Sequence, residues 1–369
     1  MDQFTVIDNV EKFSKESVIS SFDNICKLLK PFLRGKTFAL DSTIIETKSD
    51  FPGCGKTKRK NENGDDTDKI IYGFKLFILY EIKSRIIVAI DIVPANESDH
   101  KYLLPMIKKG IKNCGKSRIK LVIADRGFLC GSQMWELKNK MDIDFIIPAK
   151  VGMEVRTDAI SLRKKIEKNS KRLSEWKYGK GKCQGYGVEG LLSYLQYNPT
   201  KTKNNRKTNG SPINGVVVTK WRDKSVTPGK ETVFLTSLPT EEDASIVANG
   251  YRQRSLIENC GFRELKQASY LSHLPRRKGD YTENAAYIHI IFCALAHSLF
   301  YAFLIWRKKN SKENNETVDC MRGWRRNESI TNEKTILIIA QERYYALFDI
   351  VELLDIFSVK QKYRIQLNC

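Results

Sequence analysis

No two of the nine cysteines stand in a Cys-x-x-Cys pair, and the odd count leaves at least one without a disulfide mate. That pattern excludes a zinc ribbon and a disulfide framework, and a reducing cytoplasm is the expected setting. Internal repeats and low-complexity tracts are also missing. Met1-Asp2-Gln3-Phe4 opens no basic region followed by an apolar run, so no signal peptide is expected. Acidic residues are in deficit, 43 against 63 Lys and Arg, which leaves a net charge of +20. This balance favours a polyanionic partner, DNA or RNA.

The chain has 369 residues of which 41% are hydrophobic, enough for a sizeable core. At roughly 100 to 200 residues per domain, that length predicts two or three domains. The run at 285–306 carries no formal charge and is long enough to span a membrane. His289, His297 and Ser298 within it, and the lack of a second such run, favour a buried core helix with no membrane partner.

Residues 1–36 read as an N-terminal helical segment, opened by Ser14 or Ser17 and followed by Pro31. A strand at 37–43 ends in Asp41-Ser42-Thr43, and the polar, Gly-rich stretch 48–69 reads as a loop. Strands at 72–80 and 85–93 flank a turn at Lys83-Ser84. Asp99 is placed to cap a helix, 119–125 is a near-continuous apolar strand, 133–140 a short helix and 144–148 a further strand. The order predicts an α/β fold with a mixed sheet, its first part spanning 37–150.

Composition shifts after Lys150 to basic runs between strand-like segments at 213–221 and 232–237, so 151–240 reads as a β-rich insertion. Pro239-Thr240 is placed to cap a helix, with Asp243 echoing a capping box. Residues 241–310 then supply the helices that complete the core. Beyond them, 311–369 reads as a linker and a C-terminal helix over 333–357.

On a helix, Tyr251, Arg254 and Glu258 stack on one face, because their offsets are 0, 3 and 7. Asp41 and Asp125 each close an apolar strand, and acids at strand ends converge on a shared rim. Three such carboxylates suit Mg²⁺ or Mn²⁺, and two ions roughly 3.5 to 4 Å apart stabilise both oxygens of a phosphodiester displacement. Taken singly, each acid also has an ordinary reading. Asp41 is a strand-end turn residue, Asp125-Arg126-Gly127 a β-turn, and Glu258 an i,i+4 partner of Arg254.

The blocks LDST at Asp41, IADRGF at Asp125 and YxxRxxxIE at Glu258 resemble, in that order, the DDE transposases of insertion sequences, specifically the insertion-sequence-four type with its Tyr-Arg-Glu-Lys signature. The resemblance covers residues 37–300. It implies a ribonuclease-H-like core, Asp41, Asp125 and Glu258 as catalytic metal ligands for two Mg²⁺ or Mn²⁺ ions, and a β-strand insertion between the second and third acids. It also implies DNA contacts from Tyr251, Arg254 and Lys266, with Arg263 as the rival to Lys266 and Arg126 beside the second acid. Element ends and target DNA would be the partners, held by a homodimer. Strand cleavage followed by strand transfer is the activity implied; a nuclease without transfer and an inert DNA-binding relic are the alternatives.

The signature commonly separates glutamate from lysine by six residues, whereas seven lie between Glu258 and Lys266. On a regular helix Lys266 then falls about 80° from Glu258. One extra residue is absorbed by a π-bulge, and Cys260-Gly261 is its expected place. The sequence therefore predicts a bulge or kink between Asn259 and Phe262 that returns Lys266 to the face of the three acids, failing which Lys266 is an ordinary surface lysine.

Overall fold

The computed structural model describes residues 13–60, 66–165, 173–178, 181–198, 210–221, 231–275, 282–310, 335–340 and 344–349. The chain divides into two units, 1–313 and 314–369.

Ser14 opens the first helix, α1 (Lys15–Leu29), by accepting a hydrogen bond from the Ser17 N–H at 3.2 Å, as an N-cap serine should. Strand β1 (Thr37–Thr47) runs on past Asp41 instead of ending there. The stretch read as a loop is largely a hairpin, β2 (Gly55–Lys60) pairing with the first half of the long strand β3 (Asp66–Glu81). Its lysines and glycines disguise the strands, which are held by backbone pairing to a neighbour and not by a buried face.

Strand β4 (Ile87–Pro94) follows β2 along the same edge of β3, while β1 pairs with the other edge. Asp99 does not cap the next helix. It begins a 3₁₀ turn, Asp99–Lys101, preceded by Ser98, and α2 (Leu103–Cys114) starts beyond it with no side-chain cap. Then come β5 (Leu121–Ala124), α3 (Gly131–Met141), β6 (Asp144–Pro148) and α4 (Glu154–Lys165).

Strands β7 (Leu173–Tyr178), β8 (Gly181–Leu191), β9 (Ile213–Trp221) and β10 (Thr232–Thr236) follow. They extend the same sheet, in the order β2-β3-β1-β5-β6-β10-β9-β8-β7 with β4 beside β3. Pairing is antiparallel except for β1–β5 and β5–β6, so the fold is a mixed α/β architecture. Helix α5 (Ala244–Arg252) is capped by Asp243, which accepts from the Ser245 N–H at 2.8 Å, and not by Thr240.

A π turn, Ile257–Phe262, leads into α6 (Arg263–Gln267), and the unit ends in α7 (Thr282–Asn310). In the second unit β11 (Thr335–Ala340) and β12 (Tyr344–Asp349) pair antiparallel. This corrects the expected helix over 333–357. The β-branched run Thr-Ile-Leu-Ile-Ile and the aromatic Tyr-Tyr-Ala-Leu-Phe suit a strand better than a helix.

Side chains alternate across the sheet with period two. Phe38, Leu40, Phe77 and Leu79 face one core with α2, α3 and α4. Ala39, Leu76, Ile78 and Tyr80 face a second core built with Ile257, Phe262, Leu265 and the Ala286, Ile290 and Ala294 stripe of α7. Among the described residues α7 is the one helix long and apolar enough to cross a membrane. Its buried face also carries polar side chains, His297 and Ser298. His297 Nε2 pairs with the Arg85 carbonyl at 3.2 Å, and Ser298 Oγ accepts from the Ile87 N–H at 3.2 Å. Burial of a large apolar side chain is worth about 1.5 to 3 kcal/mol, so these two cores fix which sheet face each residue presents.

Candidate active site

The last paired register between β1 and β5 is Leu40 with Ala124. Asp41 and Asp125 are therefore the next residue on each of two parallel neighbours. Since Leu40 and Ala124 face the core with α2, the following residue on each strand faces the opposite side, where the π turn packs. Asp41 is anchored by the Ser42 N–H, which donates to its Oδ1 at 2.8 Å. Asp125 precedes the 3₁₀ turn Arg126–Phe128, and its carbonyl accepts from the Phe128 N–H at 3.0 Å.

Between α5 and the π turn the backbone tightens. Arg254 N–H donates to the Tyr251 carbonyl and Ile257 N–H to the Arg254 carbonyl, both at 3.0 Å and both spanning three residues. It then widens, with the Arg263 N–H donating to the Glu258 carbonyl five residues back. This is the predicted bulge. A uniform 100° per residue does not describe 251–266, yet Tyr251, Arg254 and Glu258 still meet.

Arg254 is the hub of the cluster. Its Nη1 donates to Asp41 Oδ2 at 2.6 Å and its Nη2 to Glu258 Oε1 at 2.7 Å. Tyr251 Oη donates to Asp125 Oδ1 at 3.4 Å, and its ring lies 5.6 Å from the guanidinium and 4.7 Å from the Phe234 ring. The Asp41 and Arg254 side chains are only 12% and 16% exposed, whereas Glu258 is 51% exposed. The cluster thus opens toward solvent on the Glu258 side.

Burial pushes the Asp41 carboxyl up to about 7, against the pull of Arg254 and of the Ser42 N–H, and with the added repulsion of Asp125 and Glu258. Burial likewise raises the Tyr251 hydroxyl, so it stays a neutral donor.

The bulge does not return Lys266 to the three acids as expected; the side chain reaches β1 at a different point. Its Nζ donates to the Ile44 carbonyl at 3.3 Å, and burial lowers its pKa. It stands three positions along the strand from Asp41. Arg126 and Arg263 are both exposed and take no part in the Asp41–Arg254–Glu258 ion pairs.

Sequence reasoning overlooked Lys75 and treated Asp99 as a helix cap. Asp99 Oδ1 accepts from Ser42 Oγ at 3.2 Å and from Lys75 Nζ at 3.0 Å. The signal available was an acid beyond the β4 strand with no hydrophobic helix starting at the following residue.

Among the described residues no three His, Cys, Asp or Glu side chains are grouped so as to hold a metal ion; the Arg254 guanidinium lies between Asp41 and Glu258. The donor chemistry nonetheless fits a hard dication. Asp125 and Glu258 sit close enough to add to the burial-driven rise of the Asp41 pKa, and carboxylate oxygen is what Mg²⁺ and Mn²⁺ prefer.

A family model described as the transposase DDE domain matches residues 33–299. The chain belongs to the DDE transposase family. Divalent metal ions are in general use across that family. The chain is also similar to the piggyBac transposase solved by cryo-electron microscopy in a synaptic complex with hairpin DNA, at 11% identity and a TM-score of 0.43, covering 85% of this chain. It spans 57% of the length of that structure's chain. No curated protein matches it.

Proposed function

We propose that this DDE transposase cleaves DNA at the ends of an insertion sequence and joins the freed ends to target DNA. The observation that carries the reading is the meeting of Asp41, Asp125 and Glu258 around Arg254 and Tyr251, on a chain of this family. The strand order β4-β3-β1-β5-β6, three antiparallel strands followed by two parallel ones, supports reading the core as ribonuclease-H-like.

Asp41, Asp125 and Glu258 would hold two Mg²⁺ or Mn²⁺ ions. When bound, such ions activate a water or 3′-hydroxyl nucleophile and neutralise charge on the scissile phosphate. Arg254 supplies the phosphate clamp, its planar fork turning from carboxylate to phosphate oxygens of the same geometry. Tyr251, kept neutral by burial, donates a hydrogen bond beside Asp125. Lys266 lies further along β1, where the duplex flanking the cut would pass, and Arg126 and Arg263 are exposed backbone contacts for it. A homodimer would bring two ends together, and a cytoplasmic setting suits cysteines that form no Cys-x-x-Cys pair.

The test is cleavage of DNA carrying the element ends with Mg²⁺ present or chelated. Asp125→Asn and Glu258→Gln should each lower cleavage by on the order of 10⁴-fold or more while DNA binding persists. Undiminished cleavage by either variant would refute the site. Cuts without joined products, when a target plasmid is supplied, would reduce the protein to a nuclease.

A further inference from the structure

Asp41 and Asp125 stand where two parallel strands part company. Pairing ends at Leu40 and Ala124; beyond it β1 continues along β3, while the chain after Asp125 turns into Arg126–Phe128. The backbone ladder between the two strands therefore stops one residue short of the two acids. A side chain from a third element bridges this gap from behind the sheet.

Ser42 pairs with Phe77 and Ile44 with Lys75 in the β1–β3 ladder, so Ser42 and Lys75 lie on the Phe77 face, opposite Asp41. On that face Asp99 Oδ1 takes hydrogen bonds from Ser42 Oγ at 3.2 Å and Lys75 Nζ at 3.0 Å. Lys75 is itself tied to the Glu97 carbonyl at 2.5 Å, and its side chain is 12% exposed, so the anchor is rigid. The other carboxylate oxygen leans on the turn after Asp125, where a Cβ added to Gly127 would lie 2.8 Å from Asp99 Oδ2. Ser42 is also the residue whose N–H donates to Asp41 Oδ1.

We infer that Asp99 is a positioning residue that sets the spacing of Asp41 and Asp125, and that Gly127 is glycine because any side chain would push that carboxylate away. Asp99 touches neither acid and is not a fourth ligand, because it lies across the sheet from them. Its effect passes through Ser42 on one side and the Gly127 backbone on the other. This inference rests on the transposase reading for its functional consequence, and on geometry alone for the tether.

The experiment is a double-mutant cycle on the full chain, with Mn²⁺ affinity read by electron paramagnetic resonance and hydrogen–deuterium exchange read across residues 125–129. Asp99→Ala and Gly127→Ala should each weaken Mn²⁺ binding roughly 10- to 100-fold, the range for residues that orient metal ligands. The double variant should be no weaker than Asp99→Ala alone, because removing the carboxylate removes what the new methyl group strikes. Asp99→Asn keeps an acceptor for Ser42 and should lose less than Asp99→Ala; if Asp99→Ala fails to fold, Asp99→Ser, which also lacks the terminal atoms facing Gly127, combined with Gly127→Ala serves in its place. Exchange at 125–129 should rise in Asp99→Ala with the melting temperature unchanged.

Additive losses in the double variant, or wild-type exchange and affinity in Asp99→Ala, would overturn the assignment. Should the wild-type protein itself neither bind Mn²⁺ nor cut DNA, the transposase reading falls, and the exchange data alone decide whether Asp99 holds the turn.

Discussion

Arg254 spans Asp41 and Glu258 with separate nitrogens of one planar guanidinium, a geometry that a lysine ammonium cannot reproduce. Arg254→Lys therefore keeps the charge and loses the bridge. Single-turnover cleavage should fall on the order of 10²-fold, the scale of small misplacements at a reacting centre. Overall DNA affinity, carried by many basic groups, should barely move in an anisotropy titration. His297 acts on stability instead. It is fully buried, and burial lowers its pKa from 6.5 to about 4. The unfolded chain thus takes up a proton first as pH falls, so this contribution is intact above pH 6.5 and is lost on descending toward pH 4. The loss amounts to about 3 kcal/mol. His297→Gln should flatten that part of the pH dependence of the urea midpoint, and an unchanged slope would count against it.

The π turn is the element on which the site depends, and its cause is legible in the sequence only through a mismatch. Seven residues between Glu258 and Lys266 where six are usual implied an extra residue, and the structure absorbs it over Ile257–Phe262. The destination of Lys266 was not legible, since it is set by β1, whose continuation past Asp41 depends on pairing with β3. The same holds for the β2–β3 hairpin and for Asp99. Asp99 owes its place to Ser42 and Lys75, distant in sequence, and the hairpin to backbone pairing that its polar composition does not record. By contrast α1, β6 and β9, whose caps or apolar runs are local, follow from the residues directly.

Gly261 offers a test at this scale. A Cβ there would find Ile257, Tyr80 and Ile78 at 3.5 to 3.7 Å, ordinary contact distances. Gly261→Ala should then raise stability by about 0.5 to 1 kcal/mol by stiffening the unfolded chain. Gly261→Leu should lift the turn off β3 and lower both stability and cleavage, as denaturation and cleavage assays would report.

Across the whole molecule the charge of +20 predicts DNA binding that weakens steeply with salt. Lys56 and Lys58 are exposed on β2, one strand of the hairpin that it forms with β3. Replacing both with glutamine should weaken binding evenly across DNA sequences and reduce the slope of log affinity against log salt by about 2. An unchanged slope would remove the hairpin from the DNA path.

The positive group that links the carboxylates lies 213 positions after the first of them, and the hydroxyl facing Asp125 comes 126 positions after it. During synthesis Asp41 and Asp125 thus emerge long before Arg254, two like charges on adjoining strands with nothing to reconcile them. A nascent or truncated chain that stops short of residue 254 has the sheet but not the site. On the proposed function, competence to cut would arrive late in translation, all at once, with the segment that carries the third acid.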